Sequence, residues 1–525
     1  MPPAPAAPIE AIVPRLRRAA AALPARSHGD LAALAAACNH SVATVADEWV
    51  AASVAAKGWS QQPYAPAEEW GSGPVPIARL LRLCAQHHGA LAAGRTLAPH
   101  RRGVAVDGTV ELQVLPAAGL GDALLLRGLR AHLHLAADAP PPMPTRHGDL
   151  AVVLGAGNVT ATPLLDTIDQ VLLRGRAVLL KLSPLHATLQ PVFVRALAPL
   201  VAADLVHVVA GDGALGAELT ARPDVAAVHL TGSVATAARL RADPRLHGKE
   251  LTAELGCCTP AFVLPGDWRA SELGHVAAQA AAFLAWNGGA TCVAPRVLLT
   301  ARGWPQREAF LHQVRTALAA LPARVPFFAA ARTHFVAAAH AQPSDERLPP
   351  TLRSGLDAQR DAGLLGTEHF APVLLEVPLP GDSVANWLDT ATAFVRDRVF
   401  GALSAYVWAP PRVLATARAA LDAAVRRLPH GTIAINTWTG IGYGLGTPWG
   451  VPATAPWQCG IGWARDLWSG GALRCVVLEG PFHPWPAPPW SSGRRGAAPA
   501  LRALVRHYAS PAPRHLAAVV CHACR

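Results

Sequence analysis

The chain has 525 residues, of which 51% are hydrophobic, and a formal net charge of +11. This length favours more than one domain and is ample for a large core. The longest apolar stretches, such as residues 276–286, fall well short of the roughly 20 residues that a membrane-spanning helix needs. Arg15, Arg17 and Arg18 interrupt the N-terminal run that could otherwise resemble a signal peptide. We therefore expect a cytoplasmic protein with no membrane partner.

The positive charge and the nine cysteines do not by themselves indicate a function. The basic residues are dispersed, and no RNA- or DNA-binding motif accompanies them, so we expect no nucleic-acid partner. The cysteines lack the short spacings of a disulfide framework, which favours reduced thiols. Cys521 and Cys524 have too few metal-binding neighbours in the sequence to predict a zinc site.

The chain begins with helical patterns and then changes to strands. Leu, Ala and Val recur at three- and four-residue spacing over residues 10–60, which predicts helices. Residues 103–114 alternate with period two around Asp107-Gly108, a pair that favours a hairpin turn because type I′ turns need positive φ at both central positions. From Asp149, short apolar runs alternate with helical segments, as in parallel βαβ units. A second α/β stretch covers about residues 260–440.

These patterns predict an α/β fold with four regions. We expect N-terminal helices and a doubly wound dinucleotide-binding domain over 1–253, in which 103–150 is an oligomerisation hairpin insert. A catalytic α/β domain covers 254–436, a return segment with an oligomerisation strand covers 437–482, and a Pro- and Arg-rich tail covers 483–525. Exposed edge strands normally need a partner. The 103–116 hairpin or the 474–479 strand is therefore expected to pair with another subunit, in a homodimer or homotetramer.

Several motifs follow one another in a fixed order along the chain. Each is weak alone: Gly155-Ala-Gly157 lacks the third glycine of a dinucleotide fingerprint. Thr231-Gly232-Ser233 lies where a helix N-terminus could bind a phosphate, or where Ser233 could simply cap the helix. The ordered set is Asn158, Lys181, Thr231-Gly232-Ser233, Glu254-Leu255-Gly256, Asn287-Gly288-Gly289-Ala290-Thr291-Cys292 and Glu368-His369-Phe370-Ala371-Pro372.

This order and spacing resemble the aldehyde dehydrogenase superfamily over roughly residues 150–440. The resemblance implies NAD(P)-dependent oxidation of a small-molecule aldehyde to a carboxylic acid through a cysteine thiohemiacetal and a thioester. Cys292 would be the nucleophile, since a thiolate attacks carbonyl carbon readily. The side-chain amide of Asn158 and the backbone N–H of Cys292 would stabilise the oxyanion. Glu254 would activate the water that hydrolyses the thioester.

The resemblance also implies a cofactor site for NAD or NADP. Lys181 and Glu368 would bind the ribose hydroxyls, Gly232 and Ser233 the phosphates, and Phe370 would lie near the nicotinamide; no metal is expected. Pro184 stands where NAD-preferring members carry an acidic residue. We therefore expect NAD to be used with tolerance of NADP.

Two other functions fit the same resemblance. A coenzyme-A-dependent acylating dehydrogenase or acyl reductase would transfer the acyl group to a thiol, but such members typically lack the glutamate matched by Glu254. A catalytically silent scaffold would have no reason to keep Cys292, Asn158 and Glu254 together. Cys257 replaces the second glycine of the Glu-Leu-Gly-Gly motif, which could displace Glu254. The aldehyde itself is not predicted, although Trp286, Trp438 and Trp449 are candidates for an apolar tunnel lining.

Overall fold

Two β-sheets organise the computed structural model, which describes residues 9–97, 99, 101–104, 108–116, 126–135, 146–447, 460–461, 466–468, 473–488, 490–491 and 495–524. The helices are α1 Ile9–Ala22, α2 His28–Ala56, α3 Ala65–Ser72, α4 Pro74–Ala92, α5 Thr162–Ile168, α6 Gln190–Ala196, α7 Ala198–Ala202, α8 Gly213–Ala221, α9 Val234–Ala242, α10 Ala270–Ala285, α11 Arg307–Ala319, α12 Ala331–Ala339, α13 Ala362–Leu365, α14 Val384–Arg398, α15 Pro411–Arg427, α16 Ala497–Ala509 and α17 Pro513–Ala523. The strands are β1 Arg101–Val104, β2 Val110–Leu115, β3 Arg130–Leu135, β4 Leu150–Leu154, β5 Ala177–Leu182, β6 Val206–Ala210, β7 Ala227–Gly232, β8 Glu250–Leu255, β9 Pro260–Val263, β10 Val297–Ala301, β11 Thr351–Arg353, β12 Val373–Leu379, β13 Ser404–Trp408, β14 Thr432–Ile435, β15 Gly460–Ile461 and β16 Leu473–Glu479.

The smaller sheet has the strand order β15-β8-β7-β4-β5-β6, and β4 to β8 are parallel. Helices cover parallel sheets on both faces, so their strands are continuously apolar, and every residue of β5 is buried. The chain runs outward from β4 through β5 to β6 and then returns to place β7 on the other side of β4. Ligands of open α/β sheets bind outside the carboxyl ends of the strands where the order reverses in this way. The predicted doubly wound domain is confirmed.

The larger sheet has the order β1-β2-β3-β16-β14-β13-β9-β10-β12-β11 within the described residues. Its strands from β16 to β11 are parallel, while β1, β2 and β3 are antiparallel. Residues 256–259 alone connect β8 of the smaller sheet to β9 of the larger one. The carboxyl edge of one sheet therefore faces the amino edge of the other, and the predicted second α/β domain is confirmed as part of the fold.

The predicted hairpin pairing forms. β1 pairs antiparallel with β2, and Val104 lies opposite Val110. Residues 105–107 of the connection lie outside the described residues, so the turn at Asp107-Gly108 remains a prediction. Gly108 has φ of +80°, and Asp107 lies outside the described residues.

The 474–479 strand is not a free edge. Val476–Glu479 pair with β14 on one side and with β3 on the other, so this part of β16 lies inside the sheet of this chain. The prediction that this strand pairs with another subunit is therefore wrong. β1 is the outer strand at this end of the sheet, and the same prediction for the hairpin remains a prediction.

Residues beyond 483, predicted as a Pro- and Arg-rich tail, contain two helices. α16 packs on α2, α3 and α4, where Leu501 and Val505 join a buried cluster with Trp70. No helix that the structure describes is long and apolar enough to cross a membrane. The cysteines among the described residues are all unpaired.

Candidate active site

The predicted site residues meet where the two sheets face each other. Asn158 follows β4, Ser233 follows β7 and Glu254 lies near the end of β8, so all three are at the carboxyl edge of the smaller sheet. Cys292 precedes β10 and Glu368 precedes β12, at the amino edge of the larger sheet. The topology therefore brings together residues that are far apart in the sequence.

The loop before Cys292 has a backbone that requires glycine. Asn287, Gly288 and Gly289 follow one another in the left-handed region, with φ of +57°, +63° and +79°. A Cβ on Gly289 would lie 2.7 Å from the carbonyl carbon of Ala371. Only glycine allows this approach without displacing the backbone. The Cys292 loop thus packs directly against the segment that follows Glu368 and Phe370.

Asn287 connects this loop to the smaller sheet and to the helical layer. Its Nδ2 donates to the carbonyl oxygens of Asn158, at 2.9 Å, and Ala290, at 3.0 Å. Its Oδ1 accepts from Lys57 Nζ at 2.7 Å, and its backbone N–H donates to Glu68 Oε2 at 3.0 Å. Buried polar atoms are normally paired in this way, and here the pairing fixes the loop on several sides.

Buried ion pairs complete this anchor. Lys57 contacts Glu69, and Arg324 donates to both carboxylate oxygens of Glu68 at 2.6 and 2.8 Å. The Arg324 guanidinium also lies 4.8 Å from the centroid of the Trp59 ring. All four charged residues are at most 7% exposed. Sequence reasoning missed them because charged residues ordinarily face solvent, and no local pattern marks these four as buried.

The reactive groups form a chain of hydrogen bonds that sequence reasoning also missed. Cys292 Sγ lies 3.0 Å from Tyr443 Oη, and Tyr443 Oη donates to Glu254 Oε1 at 3.2 Å. Glu254 is 5% exposed. The cysteine at position 257, which could have displaced Glu254, therefore leaves it buried. Burial raises the pKa of the Cys292 thiol far above its usual range, and the nearby Glu254 carboxylate raises it further. Both effects favour the protonated thiol at Cys292.

Two hydroxyl groups hold the backbone on either side of the thiol. Thr259 Oγ1 donates to the carbonyl oxygen of Cys292 at 3.0 Å, and Tyr406 Oη donates to that of Val293 at 2.9 Å. Thr259 immediately precedes β9, and Tyr406 lies in β13 of the larger sheet. Rigid support of this kind preorganises a reacting group.

Glu368 lies beside the Glu254-Leu255-Gly256 motif. A Cβ on Gly256 would be 2.1 Å from Glu368 Oε2, so a side chain at position 256 would displace this carboxylate. Glu368 Oε1 accepts from the backbone N–H of Cys257 at 3.3 Å. Burial raises the pKa of Glu368 to about 7, although Arg296 and the Cys257 N–H oppose the rise. The ribose role predicted for Glu368 remains a prediction.

The other predicted cofactor residues lie at the carboxyl edge of the smaller sheet or at the contact between the sheets. Lys181 is 8% exposed, and burial lowers its pKa while Asp212 partly offsets the effect. Gly232 ends β7, and Ser233 caps α9 by accepting from the Thr236 backbone N–H at 3.2 Å. Phe370 has φ of +45°, and its ring lies 5.2 Å from that of Phe328. Ser233 thus has the capping role that the sequence left open, and phosphate binding by Gly232 and Ser233 remains a prediction.

A small cavity of about 30 Å³ adjoins Cys292. Val159, Leu165, Trp286 and Trp438 contribute apolar walls, and none of the described side chains that line it carries a formal charge. The Trp286 and Trp438 rings lie 4.9 Å apart. Of the three tryptophans predicted to line a tunnel, Trp286 and Trp438 are at the thiol, while Trp449 lies outside the described residues.

Residues 152–346 match the sequence profile of the Aldehyde dehydrogenase family, a stretch that includes Asn158, Lys181, Glu254 and Cys292. This stretch, somewhat more than a third of the chain, is similar to the aldehyde dehydrogenase family. No curated protein matches the sequence significantly. The match agrees with the motif order that first suggested the resemblance.

Solved aldehyde dehydrogenases share the fold over most of both chains. A gamma-glutamyl-gamma-aminobutyraldehyde dehydrogenase from Burkholderia cenocepacia is 19% identical, with a TM-score of 0.63 over 90% of this chain and 88% of that one. An aldehyde dehydrogenase variant from Pseudomonas syringae, solved with NAD+ and octanal, is 17% identical, with a TM-score of 0.60 over 91% and 89%. An NAD-dependent aldehyde dehydrogenase from Sinorhizobium meliloti is 18% identical, with a TM-score of 0.60 over 91% and 88%. At these identities, the likeness shows the aldehyde dehydrogenase fold.

Proposed function

We propose that this protein oxidises an aldehyde to a carboxylic acid, with NAD or NADP as the hydride acceptor. The observation that carries the proposal is the contact of one hydroxyl, that of Tyr443, with both Cys292 Sγ and Glu254 Oε1. It holds a nucleophile and a carboxylate base close together in a buried site. This is the combination that covalent catalysis with a hydrolytic second step needs.

In the proposed reaction, Cys292 Sγ forms a bond with the carbonyl carbon of the aldehyde. The amide of Asn158 and the backbone N–H of Cys292 stabilise the negative charge on the former carbonyl oxygen. When bound, the nicotinamide cofactor would supply the hydride acceptor. The carbonyl re-forms as the adduct carbon loses its hydride, and a thioester remains on Cys292. Glu254 then takes a proton from the water that attacks the thioester, and the acid leaves as Cys292 is restored.

The residues at the carboxyl edge of the smaller sheet fit such a cofactor. Lys181 is a buried cation whose pKa is lowered by burial, so a hydrogen-bonding ligand at its Nζ would compensate for lost solvation. Gly232 and the start of α9 lie at the reversal of strand order, where dinucleotides bind in doubly wound sheets. The Pseudomonas syringae neighbour was solved with NAD+. Pro184 offers no carboxylate to repel a 2′-phosphate, which supports NAD use with tolerance of NADP.

The cavity at Cys292 supports a short, uncharged aldehyde as substrate. Its volume of about 30 Å³ leaves room for only a few heavy atoms beside the thiol. Its apolar walls offer no counter-ion to a charged substrate among the described residues. A longer aldehyde would require Trp286 or Trp438 to move.

A panel of aldehydes of increasing chain length, read by the absorbance of NADH and NADPH, tests this function. We expect turnover with both cofactors and the highest kcat/KM for short, uncharged aldehydes. Cys292→Ala should abolish both the initial burst of reduced cofactor and steady turnover. Glu254→Gln should keep a stoichiometric burst amplitude, while steady turnover falls on the order of a hundredfold to ten-thousandfold and an acyl-enzyme accumulates for mass spectrometry.

Undiminished steady turnover in Glu254→Gln would contradict the hydrolytic role. Turnover that appears only when coenzyme A is added would favour the acylating dehydrogenase instead. If no aldehyde on the panel is oxidised while Cys292 remains reactive, the oxidation proposal fails, although the site is still chemically competent.

A further inference from the structure

We propose that Tyr443 carries the proton between the Cys292 thiol and the Glu254 carboxylate, so that the thiolate forms as Glu254 becomes protonated. This inference rests on the proposed role of Cys292 as nucleophile, but not on the identity of the aldehyde. It assigns a catalytic role to a residue outside all of the motifs that indicated the site.

The geometry of the phenol hydroxyl supports this role. A hydroxyl has one proton to donate and lone pairs with which to accept. With Glu254 Oε1 at 3.2 Å as the acceptor of the Tyr443 proton, a lone pair of Tyr443 Oη can accept from the Cys292 thiol at 3.0 Å. Thiol, phenol and carboxylate thus form one directed row of hydrogen bonds. Tyr443 lies in a turn of Thr439–Gly444 that places its ring between the two sheets.

Burial explains why such a relay is needed. Ionising a buried thiol by loss of its proton to solvent adds a charge to an apolar site, and such a charge is costly. The nearby carboxylates of Glu254 and Glu368 increase this cost for Cys292 by repulsion. A proton transfer along this row of hydrogen bonds adds no charge to the site, because the negative charge moves from Glu254 to Cys292 and the total charge stays the same.

The transfer balances atom by atom. The S–H bond of Cys292 breaks, and its proton forms a new O–H bond on Tyr443. The original phenol proton of Tyr443 moves to Glu254 Oε1. The products are a thiolate, an intact tyrosine and a glutamic acid, with no change in oxidation state. Glu254 must release this proton before it can activate water, which links formation of the thiolate to the later hydrolytic step.

Alkylation of Cys292 by iodoacetamide tests the relay without aldehyde or cofactor. The rate is measured for the Cys292 peptide by mass spectrometry between pH 6 and 9.5. Cys521 and Cys524 are exposed in the same molecule, so their rates provide an internal reference. Tyr443→Phe removes only the hydroxyl. Tyr406→Phe is the matched control, because it removes another buried phenol hydroxyl beside Cys292, which donates to the Val293 carbonyl and accepts from Thr439 Oγ1 at 2.9 Å.

We expect Tyr443→Phe to slow alkylation of Cys292 by about tenfold or more near neutral pH and to move the pH profile upward, since general acid–base groups contribute at least this much. Glu254→Gln should also slow alkylation near neutral pH, because it removes the proton acceptor, but without the same upward shift of the pH profile, since the carboxylate that repels the thiolate is gone. The double variant should be no slower than the slower single variant, because groups in one relay are not additive. In turnover with aldehyde, the Tyr443→Phe burst should be slower but of full amplitude. Tyr406→Phe should lower the melting temperature and leave the Cys292 pH profile in place.

Three results would overturn the relay. The first is an alkylation rate of Cys292 in Tyr443→Phe that lies within twofold of the rate in the unmodified protein. The second is a decrease in the double variant that equals the product of the two single-variant decreases. The third is an equal shift of the pH profile in Tyr406→Phe, which would reduce Tyr443 to a packing role. Because these measurements need no oxidation, a failed aldehyde panel would leave them interpretable.

Discussion

The loop that carries Cys292 is held by buried charges, whereas the edge that carries Lys181 and Ser233 is held by strand pairing and a helix cap. In the loop, Asn287 hydrogen-bonds to the helical layer and to the smaller sheet at once. At the edge, Lys181 is a buried cation and the Ser233 side chain contacts only its own helix in the hydrogen bonds described above. The difference suggests that the nucleophile is positioned before any ligand binds, while the edge keeps polar groups available for one.

The largest expected effect comes from breaking the anchor of the loop. Arg324→Met leaves the carboxylate of Glu68 buried without its bidentate partner, and such a loss typically costs about 3–5 kcal/mol. Urea denaturation measures the change in the free energy of unfolding. The control is Arg347→Met, because Arg347 pairs with Asp345 at 2.6 Å while both side chains are 56% and 43% exposed. That surface pair should contribute about 1 kcal/mol or less.

A second variant separates the charge from the packing at this position. Arg324→Met combined with Glu68→Gln should recover part of the lost stability, since no buried charge then remains unpaired. A loss in Arg324→Met as small as that in Arg347→Met would show that the loop is not anchored by this ion pair. The contrast between a Cys292 loop held by buried charges and a sheet edge held by strand pairing and a helix cap would then fail.

Glu368 lies where the two regions meet, and its effect should depend on pH. Its pKa is raised to about 7, above the usual value of 4.5, so the folded state holds a proton that the unfolded state releases between these values. The stability from this group is therefore complete below about pH 4.5 and is lost as the pH rises through about 7. Glu368→Gln should become more stable relative to the unmodified protein over this window, by up to roughly 3 kcal/mol.

Melting temperatures at pH 5 and pH 8 check this sign. The exposed Glu346→Gln serves as the control and should show no such pH-dependent difference. A Glu368→Gln variant whose relative stability is the same at both pH values would mean that the carboxyl group is not protonated in the folded site.

The smallest expected effect distinguishes a cap from a cofactor contact. Ser233→Ala and Ser383→Ala each remove an N-cap hydroxyl that accepts from a backbone N–H at 3.2 Å, and each should cost about 1 kcal/mol. Ser383 caps α14, outside the candidate site. If Ser233 also binds a cofactor phosphate, only Ser233→Ala should raise the KM for NAD, by a few-fold. Equal KM values for the two variants would leave Ser233 with the capping role alone.

The sequence predicted the fold and the motif residues because both depend on local patterns. Alternating strands and helices require a parallel sheet, and parallel strands gather the residues at their carboxyl ends, as Asn158 and Ser233 show. Tyr443 could not be predicted, since it lies in a glycine- and tryptophan-rich segment without periodicity. Lys57 and Glu68 gave no signal either, because burial of a helical charge depends on distant partners. The internal position of β16 likewise depends on strand neighbours that local alternation does not reveal.

The packing of α16 against the N-terminal helices has a consequence for synthesis of the protein. Asn39 in α2 donates to the carbonyl oxygen of Tyr508 at 3.1 Å, a contact between residues 469 positions apart. The same helical layer supplies Lys57 and Glu68 to the Cys292 loop. During translation, this layer stays incomplete until α16 has left the ribosome, although β4 to β8 of the smaller sheet are made much earlier. A nascent chain can therefore form these parallel strands before the Cys292 loop has its full support.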